Sequence, residues 1–274
     1  MLMLGIGLCC AFGCSEPPPI NEAKKIDQPQ VVAPEVKTPA KPLQSDPAAA
    51  LFLKDVLGAH TGNKPELLAK LKSVYVMRAG LLEQPSGRTR NVWKTYSSWP
   101  DRYRVTTEMH ATAVSSLTFA RSPAGAWQYP GGPDKLEKAP LAADILSTLT
   151  YQQKEDALTL LFGLAEPGVI VTTGSDDVLD GTELLTLQVW NAGPEYAQIG
   201  IDKKTKLVKR IVYNGREFTT LVVKELIFTG YQDFDGIKLG SKLIVKGGGR
   251  TLAEWNELSV EMGKTFDNKL FENP

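Results

Sequence analysis

Thiols, imidazoles and clustered carboxylates are the groups in this chain that could do chemistry. The three cysteines are Cys9, Cys10 and Cys14, and no thiol follows them; the two histidines are His60 and His110. A structural zinc site needs four nitrogen or sulfur ligands, and a catalytic nucleophile needs a base and a group that orients it. Cysteines crowded into an apolar N-terminus and two lone imidazoles supply neither. Both histidines are expected in solvent, His60 in a helix break and His110 at a strand end. Carboxylates gather at Asp176, Asp177 and Asp180 in "GSDDVLDG", and at Asp233 and Asp235 in "QDFDG". A calcium loop needs acidic ligands at alternate positions and a distal Glu. Neither stretch has that spacing, so both read as turns. A glycosidase pair stays open, because it is defined by separation in space. There is no G-x-S-x-G, Walker loop or H-E-x-x-H stretch. "KGGGR" opens no helical pattern, so it reads as a hairpin tip and not as a phosphate cradle. The expectation is a non-catalytic chain with no metal and no cofactor.

Binding of an apolar ligand is the chemistry that remains. Trp93, Trp99, Tyr103, Val105, Phe119 and Trp127 fall within one group of β-patterned runs. Ile145, Leu146 and Leu149 fall in a helical stretch able to cover them. Most of these read as ordinary core. The sharper reading makes them the wall and lid of a ligand cleft.

The elements that must position these residues are legible as a change of period. Leu51, Val56 and Leu57, then Leu67, Leu68 and Leu71, recur at helical spacing on either side of "HTGNKP", with Pro65 suited to a first helical turn. From Val74 the pattern becomes β. In "RYRVTTEM" the residues Tyr103, Val105, Thr107 and Met109 alternate with Arg102, Arg104, Thr106 and Glu108, as in a half-buried antiparallel strand. Residues 139–165 return to helical spacing, and strands then resume to the C-terminus. "VLDGTE" and "YNGREF" carry the Asp-Gly and Asn-Gly pairs of tight hairpins. The predicted fold is mainly β with helices: a curved antiparallel half-barrel with an N-terminal helix and a central helical lid over an apolar cleft. Formal net charge is zero, so no basic field points to nucleic acid.

Met1–Phe12 is almost wholly apolar and uncharged, the length of a signal-peptide core and too short to span a bilayer. "AFGC" resembles the lipobox of bacterial lipoproteins, although Ala11 and Phe12 depart from the preferred residues. That resemblance implies residues 1–14 as a signal ending at a lipidated Cys14, and a protein lipid-anchored in the bacterial envelope. Ser15 leans toward the outer membrane, facing the periplasm. Residues 15–47 hold eight prolines and no aromatic residue, the composition of a disordered tether. The single domain is expected over residues 48–274.

That domain resembles the LolA/LolB-like superfamily of periplasmic lipoprotein carriers and receptors, especially its outer-membrane lipoprotein-sorting relatives. The resemblance lies in the order of "LLAKLKSVYVMRAG", "PDRYRVT", "GAWQYP", "DKKTKLVKR" and "YQDFDGIKLGSKL…FDNKLFENP". Lys206 replaces the usual Gly, and Gly240 the usual Pro. It implies a half-closed barrel with a helical lid and non-catalytic binding of an acyl chain or lipoprotein. Trp99 stands where the classical carrier has an arginine that latches the lid, and a lipid on Cys14 suits a fixed receptor better than a shuttle. An interaction or sensor module with a filled cavity and an envelope protein partner is the alternative.

Overall fold

The computed structural model describes residues 38–84, 87–110, 114–130, 139–217 and 220–272. Cys14 and residues 15–37 of the expected tether lie outside them. The N-terminal helix α1 (Pro47–Thr61) starts at Asp46, whose carboxylate accepts from the Ala48 N–H at 3.0 Å. Pro47 occupies the first turn, where its missing N–H has no role. Gly62 ends the helix in the left-handed conformation. A 3-10 helix (Pro65–Lys72) follows, so the second helical run is present but too short and tight for an α-helix. Residues 45 and 46 already pair with the domain: the Asp46 N–H donates to Val171 O at 2.9 Å, and Ser45 Oγ accepts from the Val171 N–H at 3.1 Å. Asp46→Ala is expected to cost about 1 kcal/mol, the usual value of a lost N-cap, measured by urea denaturation.

The first strands are β1 (Ser73–Gln84), β2 (Gly87–Ser98), β3 (Arg102–His110), β4 (Val114–Ser122), β5 (Gly125–Pro130) and the short β6 (Ala139–Pro140). Helix α2 (Ala143–Thr159) and a 3-10 turn (Phe162–Ala165) interrupt the β pattern where the sequence predicts helix. Strands resume as β7 (Ile170–Thr173), β8 (Asp177–Leu179), β9 (Thr182–Trp190), β10 (Tyr196–Asp202) and β11 (Val208–Glu217). The last are β12 (Thr220–Phe234), β13 (Ile237–Gly247) and β14 (Arg250–Met262), followed by a short helix α3 (Lys269–Glu272).

All the strands join one antiparallel sheet in the order β6-β5-β4-β3-β2-β1-β14-β13-β12-β11-β10-β9-β7, with β8 on β9. The fold is mainly β, an open curved sheet with a few helices, as the sequence predicts. Two meanders meet at the β1–β14 pair. A bulge sits on that seam between Ala79 and Gly80. A Cβ at position 80 would lie 2.0 Å from the Glu254 carbonyl oxygen, so only glycine lets the two backbones approach this closely. Further bulges at Gly200, Phe228–Tyr231 and Val245 bend the strands and deepen the curve.

The alternation predicted in β3 is present: Tyr103, Val105 and Thr107 are buried, and Arg102, Arg104 and Thr106 less so. Leu53 and Val56 of α1 and Leu149 and Leu158 of α2 join these strand residues in one core, so both helices lie on the concave face. The C-terminal segment runs over the opposite face. Phe266 packs edge-on to Tyr96, and Arg104 donates to Leu270 O at 3.1 Å.

Asp180-Gly181 and Asp235-Gly236 make tight turns with positive φ, as predicted. Asn214-Gly215 does not. It lies inside β11, and the hairpin falls beyond it, because its neighbours continue the ladder with β12. His60 is likewise inside α1 and 1% exposed, not solvated in a break. The helix runs one turn further than its apolar spacing shows, and it carries the imidazole onto the sheet. Lys206 adopts φ 60°, the left-handed conformation that glycine takes most readily. Among the described residues no helix is long and apolar enough to cross a membrane.

Candidate functional site

Between α2 and the concave face lies a cavity of about 60 Å³. Its apolar wall is Trp93, Leu226, Leu243, Val245 and Trp255, from β2, β12, β13 and β14. Cross-strand register explains the grouping. Trp93 is paired with Arg78 on β1, and Leu243 with Trp255 on β14, so these residues share one face. The two indoles tilt against each other with centroids 5.7 Å apart.

The helix side is different. Gln152, Glu155, Asp156 and Thr159 of α2 face the cavity, and Arg78, Tyr213 and Lys224 meet them from the sheet. The apolar cleft expected from the sequence is therefore apolar on its sheet wall and polar on its lid. Lys224, 1% exposed, donates to both Glu155 oxygens at 2.8 and 3.0 Å. Asp156 accepts from the Tyr103 hydroxyl at 2.6 Å and faces Arg78 at 3.5 Å. Burial pushes the Asp156 carboxyl above its ordinary range, against the pull of Arg78 and the Tyr103 hydrogen bond. Burial, with the neighbouring Glu155 charge, raises the Tyr213 phenol. Gln153 accepts from Arg121 Nε at 3.1 Å and donates to Arg102 O at 3.2 Å, and the Tyr151 hydroxyl donates to Asn214 O. Each of these contacts pins α2 to the sheet.

Gly215 serves this arrangement. A Cβ there would come within 2.4 Å of Lys224 Cδ, so the glycine that reads as a turn signal clears a channel for the buried lysine stem.

Of the predicted site residues, Trp93 lines the cavity. Tyr103 reaches it indirectly through Asp156. Val105, Phe119 and Leu149 are buried core beside it, and Ile145 packs against that core. Leu146 is half-buried on α2. Trp99 packs edge-on to Phe162 with centroids 5.6 Å apart, and the cationic grip on α2 comes from Arg78, Arg121 and Lys224. Trp127 lies on the convex face: it pairs with Ala120, which pairs with Arg104, and Arg104 holds the C-terminal segment. It is therefore not part of this cleft. Sequence reasoning missed Lys224, Glu155, Asp156, Arg78 and Gln152. One signal was available for Lys224. It shares a two-residue period with Leu226 and Phe228, so it belongs to the buried face of β12. Among the described residues no group of three or more His, Cys, Asp or Glu is placed to hold a metal ion.

Comparison with known proteins yields no matching family model and no matching curated protein. Solved structures do match. A DUF1329 family protein from Desulfovibrio piger superposes with TM-score 0.50 and 14% identity, over 82% of this chain and 97% of that one. A domain assigned to an outer membrane lipoprotein-sorting protein of Vibrio parahaemolyticus gives TM-score 0.48 and 11% identity, over 82% of this chain and 96% of that one. A LolA superfamily protein of Nitrosomonas europaea gives 0.46 and 7%, over 75% and 96%. The chain shares the fold of the Desulfovibrio piger protein, an open curved antiparallel sheet with helices.

Proposed function

We propose that this chain is a non-catalytic binding module of the bacterial cell envelope that takes an acyl chain against the apolar wall of its half-barrel. One observation carries the reading: the lid is held by polar groups and the wall beneath it is hydrocarbon. Thr148, Gln152, Gln153, Glu155 and Thr159 are five of the eight buried residues of α2, beside Leu149, Ala157 and Leu158. A helix docked through hydrogen bonds and ion pairs exchanges those bonds for water when it lifts, and the Trp93, Trp255, Leu226 and Val245 surface it uncovers does not. Burying a twelve-carbon chain there contributes about 9 kcal/mol at ~0.8 kcal/mol per CH2. Association and lid-opening costs reduce this to micromolar affinity or weaker. Displacement of a fluorescent fatty acid from the Cys14→Ser chain tests the reading. Saturable micromolar displacement supports it, and no binding up to the solubility limit rejects it.

The chain is read as anchored through a lipid on Cys14, with the proline-rich segment before residue 48 as its tether and the outer membrane as its site. Cys14→Ser is expected to move the protein from the membrane to the soluble envelope fraction. Unchanged fractionation, with no diacylglyceryl mass on the mature N-terminus, rejects the anchor. The small cavity favours a second reading, an interaction or sensor module whose core is already filled. That reading gains if the titration is blank while the domain is folded.

A further inference from the structure

We infer that the outer edge of β7, with Trp190 and Tyr196 beside it, is a recognition site for an extended proline segment, and that residues 38–46 of this chain fill it. Cross-strand register fixes the platform. Trp190 pairs with Ile170 on β7 and with Tyr196 on β10, and the two rings tilt together with centroids 5.2 Å apart. Their neighbours Val189 and Ala197 belong to the core on the concave face, so strand alternation puts Trp190 and Tyr196 on the other face. Both are nonetheless buried, at 2% and 4% exposed, and neither belongs to that core. A separate cover lies over them.

Residues 38–46 reach this place. Lys41 Nζ donates to Asn191 Oδ1 at 3.2 Å, one residue beyond Trp190, and Asn191 Nδ2 donates to Gly168 O at 2.9 Å. Four residues on, Ser45 Oγ accepts from the Val171 N–H and the Asp46 N–H donates to Val171 O. The segment therefore runs beside β7 in the same direction. The lengths agree: four residues of polyproline helix span ~12 Å, and three of a strand ~10 Å. Burial has the matching period. Pro39, Pro42 and Ser45 are half-buried, while Ala40, Lys41, Leu43 and Gln44 are exposed, which is one inward residue per three-residue turn. Leu43 faces fully outward, so general hydrophobicity did not choose which residues turn in. Prolines two residues apart with their φ already fixed lose little entropy on docking, and aromatic rings are the surface on which such segments dock.

Hydrogen exchange on the full Cys14→Ser chain tests the assignment. In Pro39→Ala/Pro42→Ala the amides of Val171 and Asp46 are expected to exchange about ten-fold faster, the factor given by one hydrogen bond's net strength. The amide of Ile199, inside the sheet, keeps its rate. Trp190→Leu should give the same local acceleration, and Trp190→Phe, which keeps an aromatic face, should give less. A peptide of residues 38–46 at millimolar concentration, the scale of a short flexible link, should restore protection to the double-proline variant, and its reversed sequence should not. Unchanged Val171 and Asp46 rates in the double-proline variant overturn the inference. Acceleration that includes Ile199 overturns it too, because the substitutions then act on the whole fold. Protection of Val171 that falls on dilution overturns the assignment to the same chain and gives the segment to a second copy. Restoration by both peptides alike overturns proline recognition.

Discussion

Lys224→Met lowers the free energy of unfolding by about 3–5 kcal/mol, the usual cost of leaving one member of a buried ion pair alone. The lysine is 1% exposed and Glu155 8% exposed. Without the ammonium, Glu155 must either keep an uncompensated charge next to Tyr213 and Asp156 or take up a proton. At ~2–4 °C per kcal/mol for a domain of this size, the melting temperature falls by about 10 °C. Adding Glu155→Leu to the same chain recovers most of the loss, since a buried pair is often matched by apolar residues of similar volume. Urea denaturation of the three proteins decides the matter. A single-variant loss under about 1 kcal/mol, the range of exposed pairs, means that water reaches the pair and the pocket is not sealed by α2.

Acidification from pH 7 to pH 4 removes about 3 kcal/mol of stability through His60. The imidazole is neutral in the fold. Its Nδ1–H donates to Lys238 O at 2.6 Å, and Nε2 accepts from the Val208 N–H at 3.0 Å. Burial holds its pKa down at about 4, from an ordinary 6.5, against the carbonyl hydrogen bond that raises it. The unfolded chain therefore binds a proton at higher pH than the folded one. The stabilisation is complete above about pH 6.5 and is lost as the pH falls toward 4. Asp156, with its carboxyl raised by burial, has the opposite sign, so the total profile mixes the two. Subtracting the profile of His60→Gln isolates the imidazole. An unchanged slope between pH 4 and 6.5 in that variant assigns the acid loss to other groups.

The two results depend on residues whose roles were legible to very different degrees. Period alone marks Tyr103, Val105 and Thr107 as one face, and it marks the two helical interruptions, because both signals are local. Asp180-Gly181 and Asp235-Gly236 are local too, since a positive φ at each position is a demand of the turn itself. Lys224 and Glu155 are 69 residues apart, and their meeting depends on the β11–β12 register and on the missing side chain of Gly215. Trp127 shows the same limit from the other side. Its face is set by pairing with β4, and a shift of one residue would reverse it. His60 was misplaced because apolar spacing marks where a helix buries hydrocarbon, not where its last turn delivers a hydrogen-bonding ring.

The seam at the middle of the sheet bears on how the chain is made. Val74 pairs with Met262 and Leu82 with Ala253, so β1 waits for a partner strand made long after it. The β1–β6 meander can form on its own local pairings, but its inner edge stays open until β14 arrives, and closing so large a loop is entropically slow. Until then β1 presents an unpaired row of backbone donors and acceptors. The nascent chain is thus held short of its final sheet until β14 has been made.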